Sequence, residues 1–558
     1  MSFKPLLCIL STSLATFAST LTLPGPAALP SDASSPLSPA LASFSIETAF
    51  FIEYIGNTTD PNTLSQHLLQ NLKDRTGTPA EVRIGGITAD STYWDPSLNT
   101  AIFNFIDSSG TLFNSTIGPE FWEAARSLLP KDTKVTVNLD LHNFNYTGAL
   151  AVAQSAISGL DAGQLIAFEI GNEPDHYSPS LSAAKYDATW VPWSKNITEA
   201  LGFSEPMFQI AATAEDPLWP YTASGASSQL DCVSALAAGA SSAGTVKSCS
   251  EHTYQYSVCD PTRTAVATLP NLVSPHSRFL RSTKFIKVNH TRLAMYLDLW
   301  QPRIQSVRAQ LGPDSFVIGE YNSVSCSGKA GVSDTFGQAL WLLDTTLYAA
   351  SINVSRLYIH QGGPLALQSS TQLNHGGLSR YDLWSNTEYP MDALNGEKQV
   401  FPSYSAYLFI TEAIGHSNSL RIANLWPGRQ TNGSSITTAG GDFTAGQNVV
   451  YGFWEDDAQD FPTKIALLNL QIFNQTELGP RPSTTFDLSA FLRPKQKYVR
   501  VRRLQAAGAD VTFGNATFWS GQTFAVDSDG LAQGQLYEDV VKGGEIQVEA
   551  SSAALVFL

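Results

Sequence analysis

Two short stretches constrain this chain more than any others: Phe168-Glu-Ile-Gly-Asn-Glu-Pro-Asp-His176 and Phe316-Val-Ile-Gly-Glu-Tyr-Asn322. Each is an apolar run that ends in glycine and then a carboxylate. In the first, Pro174 forbids further ladder pairing and fixes a turn, so Glu173 is delivered to a strand-to-loop corner. The second places Glu320 at the end of a run of the same kind. Two carboxyl groups on facing strand ends are what hydrolysis of an acetal needs, one protonated to release the leaving oxygen and one ionised to attack carbon.

The texture around these stretches predicts an α/β chain. Apolar, β-prone segments at 44–54, 80–84, 134–141, 165–171, 207–212, 246–254, 315–320 and 354–360 alternate with helix-like or loop-rich connections. Eight such strands with crossovers make a parallel (β/α)8 TIM barrel, whose site is built from the C-terminal strand ends. Glu173 then closes strand 4 and Glu320 closes strand 7. Helical spacing is clear at 118–129, with proline in the first turn, and at 341–348. Residues 365–397 lack periodicity and read as a long loop at the barrel mouth. After about residue 400 strands follow one another without helices, at 448–454, 464–470, 498–502, 545–548 and 553–558, which predicts a C-terminal β-sandwich. The division expected is a signal peptide at 1–18, an N-terminal segment at 19–39 that the sandwich can recruit as a strand, a catalytic barrel at 40–399 and the sandwich at 400–558.

The leader carries Lys4, an apolar run around Leu6–Leu10 and a small-residue exit at Ala18, the pattern of a secretory signal rather than of a membrane span. A disordered N-terminus is the rival reading. N-x-Ser/Thr acceptor triplets at Asn57, Asn114, Asn145, Asn196, Asn289, Asn353, Asn432, Asn474 and Asn515 suit the secretory route. Beyond Cys8 in the leader four cysteines remain, Cys232, Cys249, Cys259 and Cys326. Three pairings of them are possible. Cys259 with Cys326 is preferred because both follow neighbouring strands, leaving Cys232 with Cys249. No cysteine or histidine spacing resembles a metal site, and no nucleotide or serine-hydrolase motif occurs, so no cofactor is expected. The net charge of -16 argues against nucleic acid or a polyanionic polymer as target, and no membrane partner is expected.

Four motifs, Arg83-Ile-Gly-Gly86, Gly171-Asn172-Glu173-Pro174, His252-Thr253-Tyr254 and Gly319-Glu320-Tyr321-Asn322-Ser323, resemble those of glycoside hydrolase family 79, the β-glucuronidases that include heparanase. The resemblance runs from about residue 40 to the C-terminus. It implies a retaining enzyme with Glu173 as general acid/base and Glu320 as nucleophile. Asn172 is placed to bond the sugar 2-hydroxyl, or merely caps its turn. Arg83 can hold Glu320 ionised, or form a buried ion pair without catalytic duty. His252 and Tyr254 share one strand face and can both point into the mouth, where Tyr254 would orient Glu320; Tyr358 and His360 share a face of strand 8 with a weaker claim. The family also implicates Tyr254 and the loop Ser325, Cys326, Ser327 and Gly328 in holding a sugar carboxylate, small residues letting backbone N–H groups approach an anion. Here Ser327-Gly328-Lys329 departs from a Gly-Gly pattern, and Lys329 can add a charge. The activity implied is exo-acting release of terminal glucuronic acid, 4-O-methylated or not, from a β-glucuronide-bearing glycan. The alternatives are a heparanase-like endo-enzyme and a non-catalytic carbohydrate-binding protein on the same scaffold.

Overall fold

The structure, a computed structural model, describes residues 19–106, 112–214, 217, 229–273, 297–363, 379–385, 398–425, 447–456 and 458–558. Residues 1–18, where a signal peptide is expected, and the sequons Asn289 and Asn432 lie outside them.

Strand β1 (Ser19–Thr22) comes first and β2 (Ala42–Glu47) begins the barrel; β3 is Val82–Gly85. A small three-stranded sheet, β4 (Thr92–Trp94), β5 (Ile102–Ile106) and β6 (Leu112–Ile117), is inserted after β3. Then come β7 (Val135–Leu139), β8 (Leu165–Ile170), β9 (Phe208–Thr213), β10 (Val246–Ser257), β11 (Phe316–Ser325) and β12 (Arg356–Gln361). Strands β2, β3 and β7 to β12 close into one parallel eight-stranded barrel, with β12 pairing back onto β2. Closure removes both sheet edges and turns eight strand ends into one mouth.

Three sequence expectations are corrected. The run at 44–54 is a strand only to Glu47; Thr48–Phe50 forms a 3-10 turn and Phe51–Ile55 a short helix, because a mostly apolar stretch does not by its composition separate a buried strand from the helical turn that follows it. Strand β11 does not stop at Glu320 but runs to Ser325, with its register broken against both neighbours around Gly319 and Glu320. A helix, Tyr404–Ile414, interrupts the region expected to hold strands alone; nearly all its residues are buried, so no polar stripe marks its period.

The C-terminal part is a β-sandwich of a larger antiparallel sheet and a three-stranded one, in which β1 pairs in parallel with Ser483–Asp487 and that strand pairs with Glu545–Glu549. Its own core holds Phe486, Val499, Val501, Ile546, Val548 and Val556. The sandwich grips the barrel through Phe336–Ser351, a helix whose every residue is buried. Phe336 N and Gly337 N donate to Val511 O and Ala509 O, and Tyr451 Oη donates to Asp344 Oδ1 at 2.8 Å. Among the described residues no helix is long and apolar enough to cross a membrane.

Candidate active site

Arg83 is the hub of the mouth. Arginine in the middle of a barrel strand must find acceptors for a guanidinium that water cannot reach, and here it finds four. Its Nε donates to Glu169 Oε2 at 2.6 Å, Nη1 to Ser45 Oγ at 3.0 Å and Glu320 Oε2 at 2.9 Å, and Nη2 to Asn172 Oδ1 at 2.8 Å. Burial opposes its charge, but Glu169 and Glu320 more than offset this and the pKa is raised. One fully buried cation thus ties β2, β3, β8 and β11 together.

Glu320 is almost fully enclosed. Besides Arg83 on Oε2, Tyr254 Oη donates to its Oε1 at 2.6 Å, and His360 Nδ1 and His252 Nδ1 lie 3.7 and 3.9 Å from Oε2. Burial raises the carboxyl and Glu173 adds repulsion, but His360, His252 and Arg83 outweigh both, so the group is held ionised. A buried carboxylate whose lone pairs are fixed by a cation and a phenol keeps one geometry, as a nucleophile requires.

Glu173 is built differently. Gly171 has φ 91, and a Cβ there would press within 3.0 Å of Leu141 and 2.9 Å of the Tyr177 hydroxyl, so the chain can turn here only as glycine. Glu173 itself sits in the left-handed region at φ 50 and ψ 53, an uncommon state for a non-glycine residue, held by Pro174 and by its N–H donating to Ala212 O at 2.8 Å. Its side chain is 21% exposed against 7% for Glu320, which leaves one face open to a leaving group. His252 Nδ1 lies 3.0 Å from Oε1 and His176 Nδ1 3.6 Å from Oε2. Burial pushes this carboxyl up, but hydrogen bonding to His176 and His252 overrides burial and the net direction is down.

The two carboxylates face one another. One oxygen of Glu173, one of Glu320 and a ring nitrogen of His252 all lie within 4.8 Å of each other.

The remaining expected residues divide. Asn172 is buried with its amide oxygen on Arg83, so its NH2 is the end left for a ligand, and its backbone N–H donates to Asp90 Oδ2 at 3.1 Å. His252 bridges the two glutamates and is enclosed. The single hydroxyl hydrogen of Tyr254 is donated to Glu320. Tyr358 donates instead to Glu81, at the opposite end of the barrel, while His360 reaches the site; the two share a face but not a layer. Cys326 is bonded to Cys259, and Cys232 to Cys249, so no thiol of Cys326 faces the mouth. Cys326, Ser327 and Gly328 are three successive left-handed residues, with φ 63, 69 and 75. Their loop is tied to the site through the segment 379–385: Arg380 N donates to Ser327 O at 2.8 Å, and the Tyr381 ring lies 6.2 Å from that of Tyr254 and 5.9 Å from that of His360. Lys329 does not reach a ligand, since its ammonium donates to Thr264 O and Ala267 O, both at 2.8 Å. Ser325 closes β11, and its carbonyl accepts from Val258 N. Most of the loop expected at 365–397 lies outside the described residues.

Several site residues were not singled out from the sequence. Glu169, two residues before Gly171 and so on the same inward face, accepts from Arg83, Asn138 and Gln209. Strict alternation along the quoted stretch would have found it. Glu47 accepts from the backbone N–H groups of Ile87 and Thr88 at 3.1 Å and stands 3.5 Å from His360 Nε2. Burial pushes Asp90 up to about 7 as it accepts from Leu141 N, Asn172 N and Tyr177 Oη. Asp382, pushed up to about 6 by burial, takes Tyr54, Ser379 and Gly362 N.

Residues 450–555 match the glycosyl hydrolase family 79 C-terminal beta domain. Over nearly its whole length the chain is similar to a β-glucuronidase of Neurospora crassa, at 27% identity across 94% of both chains, and to one of Aspergillus niger, at 27% across 95% of this chain and 93% of that one. Its fold matches the crystal structure of a 4-O-α-L-rhamnosyl-β-D-glucuronidase from Fusarium oxysporum with a TM-score of 0.73, at 24% identity, covering 96% of this chain and all of the other. A barrel of this form with such relatives is a glycoside hydrolase. Within that class, the stretch 450–555 is matched by the family 79 C-terminal domain, and the Neurospora and Aspergillus relatives are both β-glucuronidases.

Proposed function

We propose that this chain is a secreted, exo-acting, retaining β-glucuronidase that releases terminal glucuronic acid, with or without a 4-O-methyl group, from glycans. The observation that carries the mechanism is the approach of a Glu173 oxygen to within 4.8 Å of a Glu320 oxygen. Carboxyl groups about 5 to 5.5 Å apart leave room for a sugar carbon between them but none for an interposed water, which is the retaining arrangement. The two fungal relatives named as β-glucuronidases support the sugar.

The chemistry runs in two displacements. Glu320 Oε1 or Oε2 bonds to C1 as the C1–O bond breaks, and the proton shared across the 3.0 Å contact of Glu173 with His252 passes to the leaving oxygen. Glu173, now ionised beside its imidazoles, takes a proton from a water that attacks C1 and frees Glu320. Two inversions leave the β configuration. The NH2 of Asn172 donates to the 2-hydroxyl, a bond that tightens as positive charge grows on the ring. With the Tyr254 hydrogen already on Glu320, recognition of the C6 carboxylate falls to the backbone of Ser325 to Gly328 and to Tyr381 beside it.

The test is a panel of aryl β-glycosides. A glucuronide preferred over the glucoside by roughly a hundredfold or more in kcat/KM is expected, because two lost charge-assisted bonds cost about 1.5 to 3 kcal/mol each. Equal rates refute the glucuronide reading. Release of free glucuronic acid rather than oligosaccharides from a glucuronide-tipped glycan separates exo from endo action.

A further inference from the structure

At the far end of the barrel from the site, a cavity of about 580 Å³ lies under the strap 35–39 that leads from the N-terminal strand into β2. Its walls include Ser35, Pro36, Ser38, Pro313, Asn353 and Asn418. The strap is hung between both parts of the molecule: Ser34 N donates to Ile422 O and Leu37 N to Leu420 O on the sandwich side, while Arg308 Nη2 donates to Ser35 Oγ at 2.6 Å on the barrel side. Asn353 opens one of the nine N-x-Ser/Thr triplets. Its Oδ1 accepts from Ser35 N at 2.8 Å. A backbone N–H can only donate, so that bond fixes which end of the amide faces the strap and turns Nδ2, the atom an N-glycan is attached to, the other way. Asn353 also lines the cavity and is only half-buried.

We propose that Asn353 carries an N-glycan whose innermost N-acetylglucosamine is seated in this cavity, holding the strap to the underside of the barrel. Pockets of about 300 to 1,000 Å³ enclose ligands of this size. Prolines offer C–H faces to a sugar ring, and serine and asparagine side chains match its hydroxyl and acetamido groups. Asn145, Asn196 and Asn515 are exposed and lie outside this cavity, so glycans on them stand in solvent. The proposal rests on the secretory reading.

The experiment is time-resolved glycopeptide mapping of the protein secreted from a host that adds high-mannose chains, digested with endoglycosidase H in the native state and after denaturation. The expected result is an occupied Asn353 whose native release is at least about tenfold slower than at Asn145, Asn196 and Asn515, because cleavage waits on local opening, with the difference gone after denaturation. An unoccupied Asn353, or one trimmed as fast as the exposed sites, overturns the proposal while leaving secretion standing. Absence of glycan from all of them overturns both. As a second readout, Ser355→Ala removes the triplet but keeps the Asn353 side chain, whereas Ser355→Thr keeps the triplet and a hydroxyl. Because the Ser355 hydroxyl also donates to Asp314 O and Phe316 O, the pair is compared in glycosylated and in glycan-free protein: faster amide hydrogen exchange at 35–39 in Ser355→Ala than in Ser355→Thr is expected only when glycan is added, and the same difference with and without glycan contradicts a seated glycan.

Discussion

The β8 corner and the body of β11 each present one glutamate to the same space, and they do so in opposite ways. Glu320 lies within a continuous strand, enclosed, with one oxygen on a buried guanidinium and the other on a phenol. Glu173 stands on a left-handed residue just past a strand end, three times as exposed, with an imidazole beside each oxygen. A group held by fixed cationic and phenolic donors cannot easily take up a proton. A group paired with imidazoles can exchange one, since imidazole is the side chain that changes charge near neutral pH. The contrast supports the roles proposed above, in which the first attacks and the second gives and receives the proton.

The strongest way to break this contrast is Glu320→Gln. It should lower turnover of every substrate on the order of 10⁴-fold or more, while thermal unfolding stays near that of the wild type because Arg83 keeps Glu169 and Asn172. Steady-state kinetics and a melting curve check both halves, and an active variant removes Glu320 as nucleophile. Glu173→Ala should be selective instead. Poor leaving groups lose most of their rate, activated aryl glucuronides keep much of their glycosylation step, and azide captures the intermediate as the β-glycosyl azide. An α-linked azide, or the same loss for good and poor leaving groups, reverses the assignment.

Smaller changes sharpen the comparison. Tyr254→Phe removes one charge-assisted bond to Glu320, about 1.5 to 3 kcal/mol, and so roughly ten- to a hundredfold in kcat/KM. The loss should fall equally on glucuronide and glucoside, because the hydroxyl serves the nucleophile and not the C6 group; a narrowed ratio would show that it reads the carboxylate. His176→Ala is the mildest. The imidazole helps hold Glu173 below the usual carboxyl range, so its removal should let that pKa rise and move the basic limb of the kcat/KM profile to higher pH. The acid limb, set by Glu320, should stay in place. An unmoved basic limb dissociates His176 from the proton donor.

What the sequence made legible follows from where its information is local. Gly171, Pro174 and the apolar runs before them mark strand ends by backbone chemistry alone, and that was enough to set Glu173 and Glu320 on opposite sides of a barrel. Arg83 and Tyr254 were within reach through motif and strand alternation. The partners that tune the pair were not. His360, marked only by sharing a strand face, reaches Glu320 and Glu47 because β12 closes onto β2; Tyr381 lies beside Tyr254 and His360 because residues 379–385 fold back beside the mouth; and Asp90, just past β3, meets the backbone of Asn172 only in the folded chain. His176 is close in sequence but reaches its neighbour only through the left-handed turn at Glu173. The helix Phe51–Ile55 escaped because five residues are too few to show a period, and Tyr404–Ile414 because burial on nearly all sides erases the periodicity that betrays a surface helix.

The central claim is that Glu320 forms the covalent bond while Glu173 moves the proton. Its most direct test is to trap the intermediate with 2-deoxy-2-fluoro-β-glucuronyl fluoride, whose 2-fluorine slows both displacements while the reactive leaving group speeds only the first, and to map the labelled peptide by mass spectrometry. The account predicts one sugar per chain, on the peptide that contains Phe316 to Asn322 and at Glu320 within it. A label on Glu173, or on any residue outside that strand, would contradict it.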